Sequence, residues 1–113
     1  MMTSNLQKFT LRGGYSNING WRSKMILINK VDKHNKVSIK FYSDSDGRQL
    51  IMNYHITLEP LEIKGIELDF DQLKEHYGRI ELESDYMLDG NVMTMKDDSI
   101  IDLRLVRLDT RCC

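Results

Sequence analysis

Proline, cysteine and long apolar runs are all scarce in this chain of 113 residues. The one proline, Pro60, argues against a linker-rich architecture. The longest apolar run is 25–28, far short of the ~20 residues that span a bilayer, and the N-terminal residues lack the apolar core of a secretory signal. Both cysteines, Cys112 and Cys113, stand at the C-terminus, where they cannot cross-link a core. A reducing cytoplasm, with no membrane partner, is therefore the expected setting.

Motifs that carry catalytic or metal chemistry are also missing. His34, His55 and His76 are far apart in the chain, whereas a zinc site needs two or three such ligands to converge with a carboxylate. Segment 12–15 lacks the Lys-Ser/Thr that completes a phosphate-binding loop, and no Gly-x-Ser-x-Gly sequence is present. We therefore expect no enzyme activity, no metal site and no cofactor.

Alternation of apolar and polar residues predicts most of the fold. The length suits a single domain over residues 1–113, with 109–113 as a frayed tail. Strands are predicted over 6–12, 24–31, 36–42, 49–56, 61–68, 79–88, 91–95 and 101–105. The second, third and fourth of these are joined by short turns, which predicts a meander. The expected fold class is mostly β (α+β), an antiparallel β-sandwich or partly open barrel of seven to eight strands with one short helix.

One helix is predicted over residues 69–77. Asp69 is its expected N-cap, with Gln72 as the capping-box partner three residues later. Gly78 is placed to end the helix in a left-handed conformation. A helix this short is unstable alone, so we expect it to dock on the sheet.

Glycines and strand alternation predict the turns and the core. Gly13 and Gly14 are expected to end the first strand, and Asp89–Gly90 favours a tight hairpin of type I′. The core should lie on the apolar side of the alternating strands. Nine residues are expected to be buried there: Leu27, Val37, Ile39, Phe41, Leu50, Met52, Leu82, Leu103 and Leu105.

Charge is segregated along the chain although the net charge is only −1. Residues 1–42 hold eight Lys or Arg and one acid, whereas residues 43–103 hold five Lys or Arg and fifteen acids. Opposite fields on one small domain are commonly displayed to a binding partner. This distribution is the most informative functional feature of the sequence.

The acidic stretch gives the leading functional hypothesis. It could be no more than a solvated face with helix-capping acids, but like charges at alternate strand positions cost stability, which favours a basic partner. We therefore expect a small cytosolic interaction module, most simply an inhibitor or immunity-type protein that masks a basic, nuclease-like toxin or enzyme. The candidate partner-binding residues are Glu67, Asp69, Asp71, Glu75, Glu81, Glu83 and Asp85.

The basic segment 21–42 gives the alternative hypothesis, a β-barrel that binds single-stranded nucleic acid. Trp21, Lys36, Lys40 and Tyr42 combine aromatic and cationic side chains, which suit stacked bases and phosphates. Lysines on outward strand faces also keep sheet edges soluble, so the pattern has a purely structural explanation as well.

Overall fold

The described part of the chain is a sandwich of two antiparallel sheets. A computed structural model describes residues 8–44 and 49–108. Their strands are β1 (Phe9–Ser16), β2 (Arg22–Asn29), β3 (Asn35–Ser43), β4 (Gln49–Leu58), β5 (Ile63–Glu67), β6 (Tyr77–Ser84), β7 (Leu88–Lys96), β8 (Ser99–Arg104) and β9 (Val106–Arg107). Sheet I has the order β4-β3-β6-β1-β9, and sheet II has the order β5-β2-β7-β8. The predicted fold class is confirmed.

The core lies between the two sheets, where the alternating strands direct their apolar side chains. Val37, Ile39 and Phe41 of β3 are buried, while the residues between them face outward. Ile80 and Leu82 of β6 continue the same layer. Six of the nine predicted core residues are buried, and Met52 packs against the core while partly exposed. Because strand side chains alternate with a period of two, pattern alone located most of this layer.

Two predicted core residues are exposed, Leu50 at 47% and Leu103 at 66%. Met52 pairs with Phe41 but Leu50 pairs with Tyr42, so one extra residue of β4 forms a bulge and turns Leu50 to the outer face. Leu103 lies on β8 at the edge of sheet II, where the facing sheet ends in the two-residue strand β9. The core prediction was wrong at these two positions.

The helix predicted over 69–77 is reduced to a 3₁₀ turn over Asp71–Leu73. Its N-cap position is Phe70 rather than Asp69, and no side chain caps it. Glu75 takes a positive φ of 59°, and β6 begins at Tyr77. Pairing of β6 with β1 therefore overrides the helical spacing, and Gly78 lies within a strand instead of ending a helix.

The glycines predicted to form turns lie inside strands. Gly13 and Gly14 pair with β6, so β1 continues through them. Gly90 lies in β7, where a Cβ atom would collide with the Ile26 carbonyl oxygen. The tight turn is instead at Asp97–Asp98, with Asp97 at a φ of 53°. The hairpin predicted at Asp89–Gly90 was therefore wrong. Gly90 allows the backbone of β7 to lie close to that of β2 and does not reverse the chain.

The chain changes sheet more often than short turns suggest. β2 lies in sheet II and β3 in sheet I, so segment 30–34 crosses between the sheets and the predicted meander was wrong. The strand predicted over 79–88 is likewise divided between β6 and β7. The start of the first predicted strand and the predicted tail 109–113 lie outside the described residues. No helix in the described part of the chain is long and apolar enough to cross a membrane.

Candidate functional site

The seven predicted binding carboxylates fall into two separate groups. Glu67, Asp69, Asp71 and Glu75 lie in the segment from the end of β5 to the start of β6, around the 3₁₀ turn. Glu81, Glu83 and Asp85 project from β6 and the residue after it, on the outer face of sheet I. Asp69, Asp71, Glu75 and Glu83 are exposed.

The group on β6 is surrounded by basic side chains of the neighbouring strands. Lys40 of β3 pairs with Glu81 on one side, and Arg12 of β1 pairs with it on the other. The Arg12 Nη2 to Glu81 Oε2 distance is 3.1 Å, and Arg79 Nε lies at the same distance from that oxygen. The charges that are segregated along the chain are therefore interleaved in space on this face.

Asp85 has a similar partner in Lys8. The Lys8 Nζ atom lies 2.6 Å from Asp85 Oδ1. The hydrogen bond and the negative charge of Asp85 raise the pKa of Lys8 above its usual value. This ion pair is solvent-exposed, so its contribution to stability is small. It does, however, place a cation directly against one of the predicted acidic binding residues.

The residues of the nucleic-acid alternative are only partly brought together. Lys36, Lys40 and Tyr42 share the outer face of β3, as predicted. The Arg79 guanidinium lies 4.4 Å from the centre of the Tyr42 ring and covers it. Trp21 lies elsewhere, in the connection between β1 and β2. No continuous lysine and aromatic surface joins the four residues.

The first group of carboxylates borders a cleft of about 350 Å³ at one end of the sandwich. Trp21, Leu68 and Phe70 give it an apolar side, and Phe70 is held by a tilted ring contact with Tyr54 at 5.1 Å. The charged residues that line it are Glu67, Asp69, Asp71, Arg22 and Lys74. The lining therefore has three acids and two bases, with Glu75 nearby in the chain.

The Asn17 side chain stabilises this cleft, because it hydrogen-bonds both the start of β2 and the segment that contains the 3₁₀ turn. Its Nδ2 donates to the carbonyl oxygens of Leu68 at 2.7 Å and of Leu73 at 3.3 Å. Its Oδ1 accepts from the Ser23 backbone N–H at 3.1 Å. The Leu68 N–H in turn donates to the Ser23 carbonyl oxygen at 3.0 Å. These hydrogen bonds hold the 3₁₀ segment against the start of β2 without a bound ligand.

Two carboxylates of the cleft have no cationic partner within residues 8–44 and 49–108. Glu67 lies 3.7 Å from Lys24 Nζ, but no ion pair is formed there by Asp69 or Asp71. Both are exposed at the mouth of the cleft. Sequence reasoning identified these acids but missed the aromatic side of the site. The sequence instead groups Trp21 with the lysines of segment 21–42, because nothing in the chain order links it to residues 67–71.

Ser43 with His76, and the His, Cys and acidic side chains as a whole, are the remaining groups suited to catalytic or metal chemistry. Ser43 Oγ lies 2.8 Å from His76 Nδ1, but Ser43 is fully buried and could not meet a substrate. In the described residues, no three His, Cys, Asp or Glu side chains converge as metal ligands would. The cleft combines an aromatic side with exposed carboxylates, an arrangement that is chemically suited to a cationic group.

Comparison with known proteins supports the fold alone. No protein-family model matches the chain, and no curated protein matches it in sequence. The chain is similar to a crystal structure of Thermotoga maritima 1070, with a TM-score of 0.66 and 13% sequence identity. That match covers 94% of this chain and 96% of the other. At this identity the likeness extends to the β-sandwich and not to the residues of the cleft.

Proposed function

We propose that this chain is a cytoplasmic protein-interaction module that binds a basic segment of a protein partner at the cleft. A Lys or Arg side chain of the partner would enter beside Trp21, with its charge directed to Asp69 and Asp71. The observation that carries the proposal is the combination of a preformed aromatic cleft with two exposed carboxylates that have no cationic partner in the described residues.

The chemistry of the lining favours a cation over an anion or a neutral ligand. A cation over an aromatic ring gains about 0.5–2 kcal/mol, and a hydrogen bond to a charged group about 1.5–3 kcal/mol. The long stems of Lys and Arg suit the apolar side formed by Leu68 and Phe70. Arg22 and Lys74 at the rim would restrict how many basic groups the site accepts.

An inhibitor or immunity-type role agrees with this chemistry. Nuclease-like toxins carry positive charge at their active sites, and carboxylates that occupy such a field speed association and mask the site. Glu81, Glu83 and Asp85 have a secondary place in this proposal, because Arg12, Arg79 and Lys8 already neutralise much of their charge.

The nucleic-acid alternative has weaker support from the same geometry. A phosphate chain following Lys36 and Lys40 along β3 would pass next to Glu81 and Glu83 of the adjacent strand. Repulsion from these carboxylates opposes the electrostatic attraction that non-specific nucleic-acid binding needs.

The test is to capture a partner from the native cell extract and measure its association rate with purified variants. Asp69→Asn/Asp71→Asn should slow association and weaken binding at least about tenfold, a change of ~1.4 kcal/mol. The matched control, Glu81→Gln/Glu83→Gln, removes the same charge from the other group and should change binding much less. Equal losses in both variants would overturn the assignment to the cleft.

A further inference from the structure

An uncovered strand edge lies on the opposite side of sheet II from the cleft. β8 is the end strand of this sheet, and all six of its residues are exposed. Ile100, Ile101 and Leu103 are exposed at 64%, 49% and 66%. A long apolar edge with unpaired backbone groups is a ready template for another strand.

The other edges of the sandwich carry features that discourage pairing. β4 has a bulge and presents Asn53, His55 and Thr57 outward. β5 has only five residues, with Gly65 at its centre, and β9 has two. β8 has no lysine, no proline and no irregularity in its pairing with β7. Among the described strands, β8 is thus the edge that is least protected against a partner.

The turn before β8 determines which backbone groups are available. Lys96 pairs with Ser99 across the two-residue turn, and such a closing pair exchanges both of its hydrogen bonds. In antiparallel sheets hydrogen-bonded and non-hydrogen-bonded pairs then alternate. Ser99, Ile101 and Leu103 therefore bond to β7, whereas the N–H and C=O groups of Ile100 and Asp102 point away from the sheet.

These free groups are complementary to a second copy of the same strand. If two β8 strands pair antiparallel about Ile101, Ile100 of each copy exchanges hydrogen bonds with Asp102 of the other. The two Ile101 side chains then meet at the two-fold axis. The Arg104 side chain, which pairs with Asp89 of its own chain at 2.8 Å, needs no charged partner from the other copy.

Registers whose two-fold axis is displaced toward Arg104 are less favourable. A two-fold axis at Asp102 would place the two Asp102 carboxylates directly opposite each other. An axis at Leu103 would shorten the overlap, because β8 ends at Arg104 and the chain then crosses to β9 in sheet I.

We propose that the occupant of the β8 edge is a second copy of this chain, paired antiparallel about Ile101. The dimer has a continuous sheet of eight strands, and the two clefts lie at its far sides. It can therefore engage a partner at both clefts, although the dimer itself does not depend on the proposed function of the cleft.

The first test is the molecular mass in solution across a concentration series that reaches about 1 mM. The wild-type chain should dimerise. Ile101→Lys places two ammonium groups opposite each other and should raise the Kd for dimerisation at least about tenfold. Ile63→Lys, at an exposed position on the other edge of sheet II, is the matched control and should dimerise as the wild type does. A wild-type chain that stays monomeric throughout the series, or an Ile101→Lys variant that dimerises normally, would overturn the proposal.

The second test fixes the register by disulfide trapping in a Cys112→Ser/Cys113→Ser background. A non-hydrogen-bonded pair has Cα atoms about 4.5 Å apart, within the range that a disulfide bridges. Ile101→Cys should therefore cross-link the dimer on oxidation. Leu103→Cys should not, because its counterpart would lie four residues along the strand, about 13 Å away. Cross-linking at residue 103 instead of 101, or at neither, would contradict the assigned pairing.

Discussion

Asn29 and Asn35 form a buried amide pair at the end of the sandwich opposite the cleft. Asn35 Nδ2 donates to Asn29 Oδ1 at 3.3 Å. Asn29 Nδ2 also donates to the carbonyl oxygens of Lys33 and Glu59, each at 2.8 Å. The Asn35 side chain bonds both the N–H and the carbonyl oxygen of Tyr86, at 3.0 and 3.1 Å. The pair thus joins three connections that pass between the strands.

Replacing Asn35 with Ala should lower the free energy of unfolding by about 2 kcal/mol or more. The change removes three hydrogen bonds, takes away the acceptor of the Tyr86 N–H, and leaves the buried Asn29 Oδ1 with the Val31 N–H alone, at 3.3 Å. Urea denaturation measures the loss. Asn53→Ala, at an exposed position of β4, is the control and should change stability by less than about 0.5 kcal/mol. Equal effects at the two positions would mean that the buried pair does not organise these loops.

A second prediction concerns alkaline pH and Tyr15. Burial, followed by the nearby Asp44 charge, raises the pKa of Tyr15 to about 12. The folded state therefore holds this proton more tightly than the unfolded state, whose tyrosines titrate near pH 10. The stabilisation is fully present below about pH 10 and is lost as the pH rises to about 12, a total of ~2–3 kcal/mol.

The pH dependence of urea denaturation for wild type and Tyr15→Phe tests this sign. The Tyr15 hydroxyl donates to the Tyr42 carbonyl oxygen at 3.0 Å, so the phenylalanine variant should be less stable by about 1 kcal/mol near neutral pH. The difference should shrink and then reverse between pH 10 and 12. A difference that is independent of pH would show that Tyr15 does not titrate as its burial requires.

The third prediction concerns the core. Phe41 is fully buried and meets Tyr15 edge to face, with ring centres 5.8 Å apart. Phe41→Ala should cost about 3–5 kcal/mol of stability, because it removes a large apolar side chain and leaves a cavity. Leu103→Ala, at the exposed edge, should cost less than about 1 kcal/mol for the isolated monomer. A large loss at Leu103 in dilute protein would mean that this side chain is buried after all.

These positions show what alternation along a strand can predict. It identified Phe41 and the neighbouring buried residues, because inward and outward positions repeat every two residues. It could not identify the bulge that exposes Leu50, since one extra residue changes the face of everything beyond it. It also could not assign strands to sheets, because pairing depends on long-range contacts rather than on the pattern within a strand.

The candidate site was predictable only in part for the same reason. The chain order groups Glu81 with other acids, whereas the strand order β3-β6-β1 places Lys40 and Arg12 on either side of it. Asp69 and Asp71 were found from composition. Their aromatic neighbour Trp21 was not found, because about fifty residues of chain separate it from them.

The interleaved charges of sheet I yield a fourth prediction. Wild-type protein should not bind a single-stranded oligonucleotide at low salt, because Glu81 and Glu83 lie beside Lys40 and Ser38 of β3. Fluorescence anisotropy of a labelled oligonucleotide measures this. Glu81→Gln/Glu83→Gln should gain weak, salt-sensitive binding. Tight binding by the wild type would instead favour the nucleic-acid alternative.

Trp21 reports directly on the proposed recognition of a basic side chain by the cleft, because it is the only tryptophan in the chain. The measurement is a titration of tryptophan fluorescence with a short oligo-arginine peptide at low ionic strength. Asn17→Ala, which removes the hydrogen bonds that fix the cleft, and Asp69→Asn/Asp71→Asn should both weaken the response. Glu81→Gln/Glu83→Gln is the matched control.

We predict a saturable change in Trp21 fluorescence that is screened as salt rises, since the Debye length shortens to about 8 Å at physiological ionic strength. The cleft variants should bind the peptide at least about tenfold more weakly than the wild type, and the control should bind it with unchanged affinity. A wild-type titration that does not saturate would contradict the proposed recognition. So would a fluorescence change that is lost in the Glu81→Gln/Glu83→Gln control and retained in the cleft variants.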